Sequence, residues 1–188
     1  MNTFDRPQPG PQLPALIATS LGMIEDCGGS TDGPWLLVDS AAQALWLVRA
    51  GRPERGWTVS TSSRGLDNRD GSGGTPPGVH RVARKIGAGA APGTVFVSRE
   101  PTGEIWSPPT APDEGDLILT RILVLDGCQD GINRGAGIDS RARYIYVHGT
   151  NHEDHLGRPV SHGCVRMAGA DIMEVFDLVE EGAPLVIV

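Results

Sequence analysis

No run in this 188-residue chain approaches the eighteen consecutive apolar residues from which a membrane-crossing helix is read. Aromatic residues are scarce at 5%, and the chain has neither an internal repeat nor a low-complexity tract. Lysine and arginine never cluster, and 16 basic against 23 acidic side chains leave a net charge of −7. A surface that tracks phosphates needs grouped cations, so no nucleic-acid partner is expected. Cysteine is sparse as well: Cys27, Cys128 and Cys164 are an odd number at wide spacing, so no complete disulfide framework can form. That usage suits a reducing compartment, or a thiol kept for chemistry. The N-terminal stretch shows no basic, then apolar, then small-residue order of a secretory signal. Asp5 and Arg6 cancel, four prolines fall between Pro7 and Pro14, and the apolar run 13–24 leads into Glu25 and Asp26. The expectation is a cytoplasmic protein, with the periplasm as the alternative.

What the chain does have is turn formers. Its 26 glycines and 15 prolines make up about a fifth of it, which points to short strands joined by many turns and against a helix bundle. Hydrophobic residues at 39% and charged ones at 21% describe an ordinary globular domain. Residues 1–12 read as a polar, proline-broken tail, and 13–24 as either a short helix or a first strand; residues 1–30 form an N-terminal extension to a domain over 31–188. Residues 35–39 and 44–49 predict a β-hairpin, 57–62 a third strand, and 79–86, 94–98, 104–107 and 117–125 further strands. Residues 144–148 (YIYVH) alternate aromatic and β-branched side chains and give the clearest strand. Ile172, Val175, Phe176 and Val179 repeat at i, i+3, i+4, i+7, which predicts a helix over 170–181 stopped by Gly182. Residues 185–188 close the chain as a strand, and 64–78 and 127–141 are long loops of the kind that carry function. The fold class is mostly β, mainly antiparallel, with one or two helices.

Four of the five histidines and one cysteine fall within seventeen residues, His148 to Cys164. A thiol is a weak nucleophile until an imidazole takes or shares its proton, so this crowding is what cysteine chemistry requires. His148 ends the clearest strand, a rigid base from which to aim a side chain. Cys164 follows Gly163, where the backbone can approach a substrate, and amides at such a turn can face a developing oxyanion. Cys27 and Cys128 have no such neighbours and read as small buried apolar residues. His152 and His155, beside Glu153 and Asp154, read as surface-loop residues, and His80 as a strand residue with a possible place in the pocket. The rival chemistry is zinc, for which His148, His152, His155, His162 and Cys164 supply enough nitrogen and sulfur. Gly149, Asn151 and Gly157 argue for a loop rather than the helix that would align those histidines, so no metal is expected in the reaction.

His148-Gly149-Thr150, followed after ten residues by Ser161-His162-Gly163-Cys164-Val165-Arg166-Met167, resembles the signature of the L,D-transpeptidase (YkuD-type) catalytic domain family. Thr75-Pro76-Pro77-Gly78-Val79-His80 matches that family's T-P-x-G motif, with His80 where an aromatic is usual, and residues 38–49 and 59–62 fit its opening strands. The resemblance runs from about Trp35 to Val188. It implies a β-sandwich-like fold and a cysteine acyltransferase, without a cofactor, whose partner is a peptidoglycan stem peptide or muropeptide. By resemblance Cys164 is the nucleophile and His148 the base; the residues alone do not choose between His148 and His162. Gly149 would orient the His148 ring through its carbonyl, and His162 would support the site. Amides around Gly163 and Cys164 would form the oxyanion hole, Arg166 would engage substrate or brace the loop, and Ser161, Thr150 and His80 would line the pocket.

The reaction so implied is attack at the L-centre carbonyl of the third stem residue, expulsion of terminal D-alanine, and a thioester resolved by an amine or by water. Most family members carry an export signal or anchor; none is legible here, and intact wall lies outside the cytoplasm. The expectation is therefore L,D-carboxypeptidase action on tetrapeptides during muropeptide recycling. The alternatives are 3→3 cross-linking, exchange of the terminal D-amino acid and, from a different class, a non-catalytic muropeptide-binding module.

Overall fold

The computed structural model describes residues 6–108 and 115–188. In chain order the elements are α1 (Leu13–Asp26), β1 (Trp35–Asp39), β2 (Ala44–Arg49), β3 (Arg52–Ser60), β4 (Gly78–Ile86), β5 (Thr94–Val97), β6 (Glu100–Ile105) and β7 (Ile118–Gly127). There follow β8 (Tyr146–Gly149), a 3-10 turn at Glu153–His155, β9 (Val165–Met167), α2 (Gly169–Leu178) and β10 (Pro184–Ile187). The strands form one sheet in the order β4-β10-β1-β2-β3-β9-β8-β7-β5-β6. β4 also pairs with β7, so eight strands close on themselves while the β5–β6 hairpin branches away. Pairing is antiparallel except for β1 with β10 and β8 with β9, which run parallel. A mostly β fold with two helices is what the composition predicts.

Strand alternation sorts the side chains into three apolar groups. Leu36 and Val38 of β1, Leu123 and Leu125 of β7, and Val165 and Met167 of β9 point into the central core, where Ile172, Val175 and Phe176 of α2 fill the enclosed space. The other face of β1, with Trp35 and Leu37, lies under α1 together with Trp46, Val79 and Val186. That is why β1 is buried along its whole length and reads as a continuous apolar run rather than an alternating one. The opposite face of β7 and β8 carries Ile122, Val124 and Tyr146, which meet Phe96 of β5 and, at the margin, Cys164.

Several boundaries differ from the sequence expectation for physical reasons. Residues 13–24 are helical, extending to Asp26, with Pro14 in the first turn where its missing N–H costs nothing. β3 begins five residues early because Arg52–Arg55 pair with β2 through the backbone while their charged side chains stay in solvent, which hides the strand from a hydrophobic pattern. β6 lies earlier than expected for the same reason, all six of its residues being exposed. α2 stops at Leu178, not residue 181: Val179 turns extended but keeps its side chain in the core. β8 starts at Tyr146, since Tyr144 has φ of 58° and cannot belong to a strand. β9 was not foreseen at all, three residues being too few to show a period.

Candidate active site

The parallel pair β8–β9 builds the site. Val147 faces Val165 and His148 faces Arg166 in register, so Tyr146 and His148 of β8, and Cys164 and Arg166 around β9, share the face turned away from the core. Gly149 must lack a side chain, because a Cβ there would lie 2.6 Å from the Leu119 carbonyl oxygen. Gly163 has φ of 127°, and a Cβ on it would press to 3.2 Å from the Gly74 carbonyl oxygen. The Cys164 turn therefore lies directly on the 64–78 loop.

His148 is 2% exposed, and its Nδ1 lies 2.8 Å from the Gly149 carbonyl oxygen. That carbonyl can only accept, so Nδ1 carries the proton and Nε2 is left with its lone pair. Burial holds the imidazole below its ordinary range; the Gly149 bond and Asp116 act the other way, and the Arg166 charge reinforces the depression. Cys164 is half-buried, and its thiol donates to the Tyr144 carbonyl at 3.5 Å. The dense surroundings of the sulfur push the thiol up to about 11, offset in part by a hydrogen bond from the Tyr146 amide; Asp116 raises it further, while Arg166 and Arg143 oppose. At neutral pH thiol and imidazole are both uncharged, so the pair suits proton transfer during attack rather than a standing ion pair.

Arg166 is buried and donates from Nη2 to the Asp116 carboxylate and, at 3.2 Å, to Nδ1 of the exposed His162. Its Nε has no partner among the described residues. Ser161 is fully buried; its hydroxyl donates to the Cys164 carbonyl at 2.6 Å and accepts the Gly163 amide at 3.3 Å. Ser161 thus shapes the turn from inside, and an oxyanion at the Gly163 amide would have to displace that long bond. Thr150 is buried and accepts the His152 amide at 3.1 Å; it lines a cavity of about 370 Å³ with Thr120, Glu153 and Met173. His80 lies apart from this group. It is fully buried on β4, with Nδ1 3.1 Å from the Gly78 carbonyl and Nε2 2.9 Å from the Ser140 hydroxyl, so both ring nitrogens are spent inside the protein. Burial pushes it down to about 4, and it stays neutral.

The histidine-rich segment divides. His148 lies on the sheet face it shares with Cys164, whereas His152, Asp154 and His155 gather on a separate, half-exposed turn, and Cys164 and His148 are not part of that group. Cys27 and Cys128 pack against the apolar group under α1 and take no part in the site.

Sequence reasoning missed five residues here, Asp116 beside Arg166 being one. Tyr144 and Tyr146 flank the thiol, and the period of two that carried YIYVH could have placed Tyr146 beside His148. Arg99, at the tip of the β5–β6 hairpin, donates from Nε to the Tyr146 hydroxyl at 2.8 Å and lies 4.7 Å over the Tyr144 ring. Arg143 donates to the carbonyls of Asp67 at 3.1 Å and Gly74 at 2.7 Å, and so ties the 64–78 loop beneath Gly163. It also lines a cavity of about 290 Å³ with Asp70 and Asp139. No local pattern marks either arginine: Arg99 comes from a hairpin far along the chain, and Arg143 from the irregular turn just before Tyr144.

Comparison with known proteins bears on the fold and the family. Among curated proteins no sequence matches the chain. Among solved structures, L,D-transpeptidase 3 from Mycobacterium tuberculosis superposes with a TM-score of 0.52 at 15% identity, over 83% of this chain and 61% of that one. The same enzyme carrying a faropenem-derived adduct gives 0.51 at 16% identity, over 82% and 60%. An L,D-transpeptidase in complex with imipenem gives 0.50 at 19% identity, over 83% and 59%. The chain spans about three-fifths of the length of these relatives, and at such identities the likeness shows the fold. The L,D-transpeptidase catalytic domain (YkuD) profile matches residues 33–187, from just before β1 to the end of β10. The chain belongs to the L,D-transpeptidase catalytic domain family, a family of cysteine enzymes.

Proposed function

We propose that the protein is an L,D-carboxypeptidase acting on peptidoglycan stem tetrapeptides, with Cys164 as nucleophile and His148 as general base. The observation that carries this reading is the orientation of His148: its Nδ1 is tied to Gly149, leaving a neutral, basic Nε2 on the face it shares with Cys164. The thiol proton passes to Nε2 as sulfur attacks the carbonyl of the third residue. The same proton then goes to the departing amine, so D-alanine leaves and a thioester remains on Cys164. Water, deprotonated by His148, attacks the thioester, and the thiol is restored with release of the tripeptide.

One feature supports a short zwitterionic substrate: a cavity is lined by Arg143, Asp70 and Asp139, charges of both signs, and its Arg143 also holds Gly74 beneath Gly163. Water is favoured over an amine acceptor because it is the most concentrated nucleophile, unless the site excludes it. The free thiols of Cys27, Cys128 and Cys164 support a reducing compartment, and with it a soluble muropeptide as donor in the cytoplasm. No helix among the described residues is long and apolar enough to cross a membrane.

The test is incubation with a disaccharide-free tetrapeptide, with and without an amine acceptor, read by mass. Tripeptide and D-alanine as the main products support the reading. Cross-linked dimer or exchanged D-amino acid as the main product would replace hydrolysis by acyl transfer to amines while leaving Cys164 in its role. Binding without turnover would favour the non-catalytic module.

A further inference from the structure

We propose that His152, Asp154 and His155 form a transition-metal site, for zinc or a similar borderline ion, separate from the cysteine centre. Each residue offers one donor atom, and the three donors lie within 4.8 Å of one another. The local backbone explains the grouping. The 3-10 turn Glu153–His155 follows His152, and in such a turn side chains at i and i+3 eclipse. The two imidazoles accordingly stack with centroids 5.3 Å apart and planes 10° from parallel. The His155 Nε2 and Asp154 Oδ2 atoms are 3.5 Å apart, close to the roughly 3.3 Å edge of a tetrahedron built on zinc–ligand bonds of about 2 Å. His152 has only to rotate toward that edge.

The His152 Nε2 lies 3.5 Å from the Asn151 amide nitrogen, a long contact that a bound ion would replace. The Asp154 and His155 side chains are 78% and 42% exposed, so they can adjust without disturbing the core. Arg158 engages the Asp154 backbone carbonyl, not its carboxylate, at 3.1 Å. Glu153 is already committed: its carboxylate accepts the Gly169 amide at 2.7 Å and holds the turn against the start of α2. The Thr150 hydroxyl, accepting the His152 amide, fixes the other side. Two imidazoles and one carboxylate suit zinc, copper or nickel better than calcium or magnesium, and a fourth position stays open to water. The bound ion would clip the segment between His148 and Cys164, acting on its rigidity and not on the reacting carbonyl.

The experiment uses the full, reduced, metal-stripped chain and zinc chloride alone, in competition with a chromophoric chelator. Wild type should bind one zinc at micromolar concentration. The double variant His152→Ala/His155→Ala should bind at least tenfold more weakly, whereas Cys164→Ser should bind as wild type does. The cobalt-loaded protein should lack sulfur-to-metal charge-transfer absorption. At zinc a hundredfold above Kd, the unfolding midpoint of wild type and Cys164→Ser should rise by several degrees, with no rise in the double variant. Binding that survives the double substitution, requires millimolar zinc, is lost in Cys164→Ser or shows a thiolate band would overturn the proposal.

Discussion

The two outer faces of the closed sheet obey one alternation rule and end in opposite chemistry. Under α1, the outward residues Trp35, Leu37, Trp46 and Val186 are apolar and covered by Leu13, Ile17 and Ile24. On β8 and β9 the outward residues are Tyr146, His148 and Arg166, with Cys164 at the edge, and the narrow β5–β6 hairpin reaches this face through Phe96 and, at its tip, Arg99. One face is closed by a helix and contributes stability; the other buries polar side chains and leaves Cys164 part-exposed at its edge. Buried polar groups mark the difference, since they are costly unless partnered: Arg166 finds Asp116 fifty residues away, and His148 turns back onto the carbonyl of its own neighbour Gly149.

That contrast can be broken from either side. Cys164→Ala should abolish turnover, because no neighbour can carry the covalent step, while the unfolding midpoint stays near wild type; activity within tenfold of wild type would place the nucleophile elsewhere. His148→Gln should cost about 10²–10⁴-fold in kcat/KM, against little for His152→Gln or His155→Gln. Equal losses at all three would erase the division between the buried base and the exposed turn. Leu37→Ala, on the face under α1, should do the reverse of Cys164→Ala: about 2–5 kcal/mol lost in denaturant unfolding, with the rate per folded molecule unchanged.

The smaller effects concern the thiol. With Cys164 pushed up to about 11, the thiolate fraction at any lower pH grows tenfold per pH unit, so alkylation by iodoacetamide should climb steadily from pH 7 to pH 10. A plateau already at pH 7 would mean a standing thiolate–imidazolium pair. Arg143 opposes the upward shift and braces Gly74 beneath Gly163. Arg143→Met should therefore slow alkylation severalfold at fixed pH and move its profile to higher pH, with Arg143→Lys restoring part of the profile. A change in KM without any movement of that profile would reduce Arg143 to a loop brace.

The sequence made legible what is local. YIYVH, the β1–β2 hairpin and the apolar face of α2 follow from periods of two and 3.6, and the S-H-G-C-x-R-M run marks the family. What stayed hidden has a common cause. β9 is too short for a period, the Arg52–Arg55 part of β3 is held by backbone pairing beneath charged side chains, and Asp116, Arg143 and Arg99 reach the site from loops with no repeating pattern. His80 illustrates the converse. A motif position suggested a pocket residue, and only the fold shows the ring closed in by Gly78 and Ser140.

The central claim is that the thiol beside His148, and not either of the other two, is the reactive one. Carbapenem treatment of the full chain, followed by intact-mass and peptide mapping, tests it most directly, since a strained β-lactam carbonyl resembles the scissile amide and would be trapped as a thioester. The result expected is a single adduct, on Cys164, lost in Cys164→Ala and undiminished by prior chelator treatment. An adduct on Cys27 or Cys128, or labelling that a chelator suppresses, would contradict the account.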